Sequence, residues 1–276
     1  MTFSDNAYRA FAAFEKSAWV EMSTHYDSIA GQMTRQAVNP ILDAVGIRVG
    51  LTLLDVATGP GYVAAAATGR GAKPVGVDFS PEMIAGARRM FPDLELEQGD
   101  AENLRYRDSS FDAAACAFGM LHFPRPGKAL AEMRRVVRPG GKVVYAIWSA
   151  PTKDHLFGTI REIVLKHADL SLATVPSGPG AFMLSDPLVS MALMDAAGLT
   201  EIQVREVPCY FDVRTPQDIF GFLNHCSPRV LPVFQAQTEE TRGRIEQALV
   251  DEGTKAMAVD GSRIPCPILL ASGVVP

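Results

Sequence analysis

The chain has 276 residues, of which 47% are hydrophobic and 21% charged, so it has enough apolar material for a packed core and does not look disordered. Its formal net charge of −5 disfavours DNA or large RNA as a partner, because nucleic-acid-binding proteins usually carry a basic excess. The amino-terminal sequence lacks the apolar core of a secretory signal, and no apolar run is long enough to span a bilayer. We therefore expect a cytoplasmic protein without a membrane span, and the sequence leaves its oligomeric state open.

The cysteines give no indication of a metal or redox site. They are widely spaced along the chain, and no pair has the short separation of a metal-binding or redox motif. They are Cys116, Cys209, Cys226 and Cys266. Since no convincing cluster of metal ligands is visible elsewhere, we predict no bound metal.

The first 48 residues have a helical pattern. Ser4 can cap a helix whose apolar face carries Phe11, and Asn39 can cap a second helix with Pro40 in its first turn. Two interpretations of this segment remain open. It is either a layer packed at the edge of the core or a lid over a pocket, formed by residues 1–48 and closing with Trp19, His25 and Tyr26.

From residue 51 the pattern alternates between strands and helices. Such alternation predicts an α/β fold with a parallel sheet covered by helices on both faces. The predicted strands are 51–56, 73–78, 94–97, 111–118, 142–148 and 200–207, with a last strand within 264–275. The predicted helices are 61–68, 81–90, 126–138, 157–167 and 187–197, with further helical segments in 216–252. We predict one domain over residues 49–276, with insertions at about 150–186 and 214–262.

A glycine turn follows the first predicted strand. That strand ends in Asp55, and the turn contains Gly59 and Gly61, which allow backbone to approach a ligand closely. Asp78 and Asp100 end the next two strands, each about one strand–helix unit further on. In a parallel sheet these three carboxylates lie along the carboxyl edge, where open α/β sheets bind ligands.

Two classes of ligand fit this turn. Residues 59–64 satisfy the dinucleotide pattern G-x-G-x-x-G/A, and Asp78 has the position of a ribose-binding acid. However, Asp55 would repel a pyrophosphate and would favour a cationic ligand. A ribose, an adenine and a positive charge together fit S-adenosylmethionine, and a nicotinamide dehydrogenase is the weaker alternative.

Five segments between residues 50 and 148 carry a resemblance to a known family. They read LLDVATGPG, GVDFSPEMI, GDAENL, FDAAACAFGMLHF and RVVRPGGKVVYAIW. In this order and spacing they resemble the class I S-adenosylmethionine-dependent methyltransferases, in the branch of the ubiquinone/menaquinone C-methylating enzymes. The resemblance implies a Rossmann-like, doubly wound, seven-stranded sheet with an antiparallel last strand. The N-terminal helices and the insertions would then form a cap.

The resemblance also implies roles for individual residues. The turn would hold the methionine half of the cofactor, Asp78 the ribose hydroxyls, and Asp100 the adenine amino group. Phe79 would pack beside the adenine, Ala101 would offer its backbone N–H to the ring, and Phe118 would line the methionine end. The complete set of implied cofactor-binding residues is Tyr26, Asp55, Ala57, Gly59, Gly61, Asp78, Phe79, Met83, Asp100, Ala101, Glu102 and Phe118.

The expected chemistry is methyl transfer to a small, partly apolar acceptor. Such a transfer depends mainly on alignment, and a general base is needed only when the acceptor is protonated. His122 lies near the expected methyl group and is the candidate base, although a loop histidine that only packs is also possible; His25 and Tyr26 are weaker candidates. A protein of the same fold without methyl transfer is the alternative function. Neither the acceptor nor the methylated atom type follows from the sequence.

Overall fold

The computed structural model describes residues 3–259 and 261–276 as an α/β fold built on a mixed seven-stranded sheet. The strands are β1 (Thr52–Val56), β2 (Lys73–Asp78), β3 (Glu95–Gln98), β4 (Phe111–Ala117), β5 (Val137–Trp148), β6 (Thr200–Val207), β7 (Tyr210–Asp212), β8 (Arg263–Pro265) and β9 (Ile268–Val274). The large sheet has the order β3-β2-β1-β4-β5-β9-β6, and β7 pairs with β8 apart from it. Strand β9 is antiparallel to both of its neighbours, which confirms the predicted antiparallel last strand.

Helices cover both faces of the sheet. They are α1 (Asp5–Ile29), α2 (Gly31–Thr34), α3 (Val38–Val45), α4 (Tyr62–Gly69), α5 (Pro81–Met90), α6 (Pro126–Val136), α7 (Leu156–His167), α8 (Pro187–Ala196), α9 (Asp218–Cys226), α10 (Leu231–Gln235) and α11 (Glu239–Met257). Short 3₁₀ turns lie at Arg35–Ala37, Leu170–Leu172 and Met183–Ser185. Because side chains alternate along a strand, Leu53 packs in one core cluster and Leu54 in the other. The sheet therefore separates two apolar layers.

Several predicted helix starts are confirmed by their hydrogen bonds. The Ser4 hydroxyl accepts from the Ala7 amide at 3.2 Å, and the Ser80 hydroxyl accepts from the Met83 amide at 3.1 Å. Each of these bonds satisfies an amide in a first turn that has no partner within its own helix. The pairs Ser80-Pro81 and Asp186-Pro187 both open helices as predicted.

Three boundary predictions were wrong. Asn39 is not a helix cap, because the chain is already helical from Val38, and Pro40 is tolerated in a first turn that needs no amide donor. Helix α6 ends at Val136, before Pro139, because Val137 pairs with Phe111 and begins β5. The carboxyl-terminal tail contains two strands, β8 and β9, where one was predicted.

Two cysteines that are distant in sequence lie side by side. The Sγ atoms of Cys209 and Cys266 are 3.8 Å apart, and the Cys266 amide donates to the Cys209 carbonyl at 2.8 Å. Both residues are buried. They flank the segment 210–265, which therefore leaves the large sheet and returns to it at one point.

Candidate active site

The glycine turn after β1 is held in place from behind by Asp55. Its Oδ2 accepts from the Thr58 hydroxyl at 2.6 Å and from the Ala64 amide at 3.1 Å. Gly59 and Gly61 have φ of +52° and +84°, which favour glycine. The second carboxylate oxygen, Oδ1, is buried and has no hydrogen-bond partner among the described residues. This atom is the unsatisfied polar group of the turn.

Two non-glycine residues at the same edge of the sheet have left-handed backbone. Ala57 follows β1 with φ of 54°, and Phe118 follows β4 with φ of 61°. A Cβ on Gly119 would lie 2.6 Å from the Ala57 Cβ, so the two turns are in close contact. Strained backbone of this kind persists only where the surrounding structure holds it, and it is often found at functional sites.

The acids after β2 and β3 have different surroundings. The Asp78 carboxylate bridges two elements, because it accepts from the Gly59 and Ser80 amides at 2.9 Å each. Asp100 is exposed and accepts only locally, from the Glu102 amide at 2.8 Å. Glu102 in turn accepts from the Arg125 amide at 2.7 Å. Asp100 thus retains free acceptor positions that face solvent.

Two adjoining cavities open at this edge of the sheet. The first, which we name the polar cleft, has a volume of about 830 Å³, within the usual range for a small-molecule site. Its walls include residues from α1, namely Asp5, Tyr8, Arg9, Ala12, Glu15 and Lys16, and residues at the strand ends, namely Asp78, Phe79, Asp100, Ala101 and Glu102. The second, the aromatic cage, has a volume of about 170 Å³. The two share Ala57, Asp78, Phe79, His122 and Phe123.

The aromatic cage is built by rings from separate parts of the chain. Phe118 and Trp148 stack with centroids 4.1 Å apart, and Phe157 lies 5.0 Å from Trp148. The remaining rings that line it are Trp19, Tyr26, Phe79, Phe123, Phe182 and Phe222. Burial raises the pKa of the Tyr26 hydroxyl, which therefore stays protonated. The cage is suited to a flat apolar molecule.

His122 lies where the two cavities meet. Its Nδ1 is 2.9 Å from Oε2 of Glu15, and the Trp19 ring lies edge-on at 4.8 Å. The other oxygen of Glu15, Oε1, accepts from Nε of Arg229 at 2.8 Å. Glu15 is only 2% exposed; burial disfavours its charge, but His122 and Arg229 outweigh that effect and lower its pKa. Glu15 is therefore a buried carboxylate between two nitrogen groups.

Most of the residues predicted from the sequence lie at these cavities. Ala57, Gly59, Asp78, Phe79, Met83, Phe118, Tyr26 and His122 line the cage, and Asp100, Ala101 and Glu102 line the polar cleft. Asp55 and Gly61 line neither and support the turn. His25 packs against His225, with ring centroids 4.3 Å apart and the rings tilted by 41°, and it also lines neither cavity.

Sequence reasoning missed Glu15 and Arg229. Glu15 had a detectable signal, because it occupies the buried face of α1 between Phe11 and Trp19 at helical spacing. A buried acid on an apolar helix face needs a charged or hydrogen-bonding partner. That requirement could have drawn attention to Glu15. Arg229 had no such signal, because it lies in the irregular segment between α9 and α10.

A doubly wound sheet with one antiparallel strand, a glycine turn after β1 and acids after β2 and β3 define a class I S-adenosylmethionine-dependent methyltransferase. The chain belongs to this family. Residues 54–145 match the family model described as a methyltransferase domain.

Named relatives agree with this assignment. The demethylmenaquinone methyltransferase of Renibacterium salmoninarum is 37% identical over 161 residues, covering 57% of this chain and 66% of the relative. That of Paenarthrobacter aurescens is 32% identical over 174 residues, covering 59% and 69%. The alignments thus span about two thirds of these two relatives. Phosphoethanolamine N-methyltransferase 2 of Haemonchus contortus, solved with S-adenosylmethionine, shares the fold with a TM-score of 0.53 at 18% identity, covering 87% of this chain and 52% of that one.

Two further observations concern the part of the chain that the structure describes. No helix in residues 3–259 and 261–276 is both long and apolar enough to cross a membrane. The same residues contain no group of three or more histidine, cysteine, aspartate or glutamate side chains arranged to hold a metal ion.

The unsatisfied Oδ1 of Asp55 is an observation that fits S-adenosylmethionine. The carboxylate lies behind the turn and lines neither cavity, so it would favour a cationic methionine group through its charge rather than by direct contact. Burial raises the pKa of Asp55 to about 7 and that of Asp78 to about 6. Ligand hydroxyls that donate to Asp78, and a cationic ligand group near Asp55, would favour the charged carboxylates and lower both pKa values.

Ligand binding should therefore release protons. At about pH 6.5, between the two pKa values, S-adenosylhomocysteine should displace a fraction of a proton from Asp55 and Asp78. Titration calorimetry in two buffers of different ionisation enthalpy measures the number of protons released per ligand bound. At about pH 8 the release should be much smaller, because both carboxyls are then mostly ionised. Asp55→Asn should reduce the release at the lower pH, and the absence of any release there would contradict the prediction.

Proposed function

We propose that this protein transfers the methyl group of S-adenosylmethionine to a flat, apolar, ring-bearing small molecule held in the aromatic cage. The observation that carries the proposal is that the polar cleft and the aromatic cage meet at Ala57, Asp78 and His122. S-adenosylmethionine supplies an activated methyl on a sulfonium. The task of the protein is then to align an acceptor with that methyl and to exclude water.

The polar cleft is assigned to the adenosine. Asp78 would accept from the ribose hydroxyls, and Asp100, which keeps free acceptor positions, would accept from the adenine amino group. The Ala101 amide and the Phe79 ring would contact the adenine. Glu102, which is held by Arg125, would fix the turn that carries Ala101.

The methionine half is assigned to the glycine turn. Asp55 supports the turn and has one free oxygen, while Ala57, Gly59 and Gly61 give it the conformation that brings backbone close to a ligand. Met83, Phe118 and Tyr26, which line the cage, would contact the cofactor where the cleft meets the cage and so border the acceptor. His122 would be the base wherever the acceptor must lose a proton.

The nature of the acceptor is proposed from the cage. Its lining is dominated by aromatic rings, whose faces repel negative charge, so a strongly anionic acceptor would lose hydration with little compensation. The relatives named for demethylmenaquinone support a ring compound of quinone type. We expect no nucleic acid as partner, because the net charge is −5. A cytoplasmic location remains a prediction.

The domain plan is part of the proposal. Residues 1–48 would act as a lid, because α1 contributes to the walls of both cavities. The insertions at about 150–186 and 214–262 would form the rest of the cap, since Phe157, Phe182 and Phe222 lie in them. Acceptor identity would then be decided by the cap, and cofactor identity by the sheet edge.

The proposal predicts methyl transfer to a naphthalene probe. With methyl-labelled S-adenosylmethionine and 1,4-dihydroxynaphthalene, label should appear in the organic product. Trp148→Ala should raise KM for the probe about three- to tenfold, because it removes the ring that stacks on Phe118. The affinity for S-adenosylhomocysteine, measured by calorimetry, should change little.

Leu188→Ala is the matched control, because this exposed residue on α8 lies outside both cavities. It should leave KM unchanged. A wild-type protein that binds no S-adenosylhomocysteine would refute the proposal. Binding without labelled product from any aromatic probe would favour the alternative, a protein of this fold without methyl transfer.

A further inference from the structure

The contacts of Arg229 determine which atoms of Glu15 are available. A guanidinium can only donate hydrogen bonds. Arg229 donates from Nε to Oε1 of Glu15, from one terminal nitrogen to the Pro179 carbonyl at 2.7 Å, and from the other to the Leu121 carbonyl. Oε1 is thus occupied by a permanent donor, and Oε2 remains as the acceptor that faces His122.

This arrangement fixes the proton of the neutral imidazole. A carboxylate accepts only, so the nitrogen 2.9 Å from Oε2, which is Nδ1, carries the hydrogen. The other ring nitrogen, Nε2, then has a free lone pair. It has no hydrogen-bond partner among the described residues, and His122 lines both cavities.

We propose that Glu15 is a positioning residue that keeps the His122 proton on Nδ1. His122 Nε2 is then the base for an acceptor that carries a hydroxyl group on an aromatic ring. This inference rests on the proposed function and narrows its acceptor class to phenols and hydroquinones. In the step, the hydroxyl proton passes to Nε2, the resulting phenolate forms a bond to the methyl carbon through its oxygen or an ortho ring carbon, and the carbon–sulfur bond breaks with its electron pair on sulfur. Attack through carbon is completed when the hydrogen of that carbon moves, through solvent, to the oxygen and restores the aromatic ring. The imidazolium later returns the proton to solvent.

The charged groups around His122 agree with this role. Glu15 faces it from α1, Arg229 from the segment before α10, and Asp78 from the end of β2. The charges of Arg229 and Glu15 offset each other. Burial raises the pKa of the Asp78 carboxyl, and a positive charge on His122 opposes that effect, so the two side chains interact electrostatically. Trp19 packs against the ring and restricts its rotation.

Glu15→Gln should reverse the tautomer without changing the shape of the site. The amide of glutamine has one oxygen, and Nε of Arg229 requires it, because Arg229 can only donate. The amide NH₂ group then faces Nδ1 of His122. The ring must accept at Nδ1 and carry its hydrogen on Nε2, which can no longer take a proton from an acceptor.

The tautomer can be measured without turnover. In protein with ¹⁵N-labelled histidine and bound S-adenosylhomocysteine, the His122 nitrogen shifts, assigned with His122→Gln, should report hydrogen on Nδ1 in the wild type and on Nε2 in Glu15→Gln. Asp27→Asn is the matched control, because Asp27 is also a carboxylate of α1 paired with an arginine, Arg35, at 2.5 Å, and lines neither cavity. It should keep the wild-type tautomer. A wild type with hydrogen on Nε2, or no change in Glu15→Gln, would overturn the inference.

Two acceptor probes separate proton transfer from structural damage. With 1,4-dihydroxynaphthalene, Glu15→Gln should lower kcat about ten- to a hundredfold and remove the ascending acid limb of the pH profile. With 2-naphthalenethiol, which reacts as a thiolate and needs no base, kcat should fall no more than about twofold. Equal losses with both probes would show a structural role for Glu15 and overturn the inference. A wild type that methylates neither probe would refute the proposed function, and the tautomer would still decide the role of Glu15.

Discussion

Replacing Arg229 with methionine should lower the free energy of unfolding by about 3–5 kcal/mol, because the change leaves Glu15 buried with an unpaired carboxylate oxygen. Two further groups lose their donor, the carbonyls of Pro179 and Leu121. The Phe11 ring, whose centroid lies 4.8 Å from the guanidinium, also loses a contact. Residues from three distant parts of the chain meet at this one side chain.

The loss of stability in Arg229→Met should depend on pH. Without Arg229, the buried pair of Glu15 and His122 is most stable when one of the two side chains holds an additional proton. The native state of the variant therefore binds more protons than its unfolded state near neutrality. Stability of the variant should therefore fall as pH rises, and the deficit should be larger at about pH 8 than at about pH 6. Urea denaturation at the two pH values measures this difference.

The control for this experiment is Arg244→Met. Arg244 also pairs with a glutamate at 2.8 Å, but the pair is exposed on α11 and its loss should change stability by less than about 1 kcal/mol. The double variant Glu15→Gln, Arg229→Met should lose less than the sum of the single losses, because the uncompensated charge is gone. Additive losses would show that Glu15 and Arg229 do not stabilise each other.

Asp78→Ala should weaken S-adenosylhomocysteine binding by about 1–3 kcal/mol, or roughly five- to 150-fold in Kd. The ribose hydroxyls assigned to this carboxylate would lose their acceptor. The Gly59 and Ser80 amides would lose theirs as well, so the turn would be less well ordered before binding. Calorimetry gives the affinity directly.

Two comparisons make the Asp78 result specific. Asp195→Ala changes an exposed acid on α8 that lines neither cavity and should leave Kd unchanged. Asp100→Ala should cost less than Asp78→Ala, because Asp100 is exposed and water replaces part of its lost interaction. Unchanged affinity in Asp78→Ala would remove this residue from the proposed adenosine site.

The sheet edge could be predicted because its information is local. Strands β2 and β6 occupy the residues that their sequence patterns indicate, and Ser80-Pro81 begins α5 as a capping pair should. Glycine turns, strand-end acids and caps depend on neighbours within a few residues. Such signals survive in a single sequence.

The cap could not be predicted to the same degree, because its contacts join distant residues. Glu15 pairs with Arg229, although most of the chain separates them in sequence. In the cage, Phe157 contacts both Trp148 on β5 and Phe222 on α9. A helical pattern shows that a ring is buried, but not which ring it meets. The early end of α6 is also due to a contact between residues distant in sequence, because pairing of Val137 with Phe111 outweighs local helix propensity.

The adjacency of Cys209 and Cys266 has a consequence for how such a protein can diversify. The segment 210–265 begins and ends at one place, where Tyr210 pairs with Pro265, so it contributes no strand to the large sheet. Lengthening a flexible segment with fixed ends costs only about 0.6 kcal/mol per doubling. Insertions in the connecting loops of this segment would therefore leave the strand order of the large sheet unchanged, whereas its buried side chains, such as Phe222 and Arg229, hold it to the rest of the protein. Changes in those loops would alter the cap and leave the glycine turn and the strand-end acids intact.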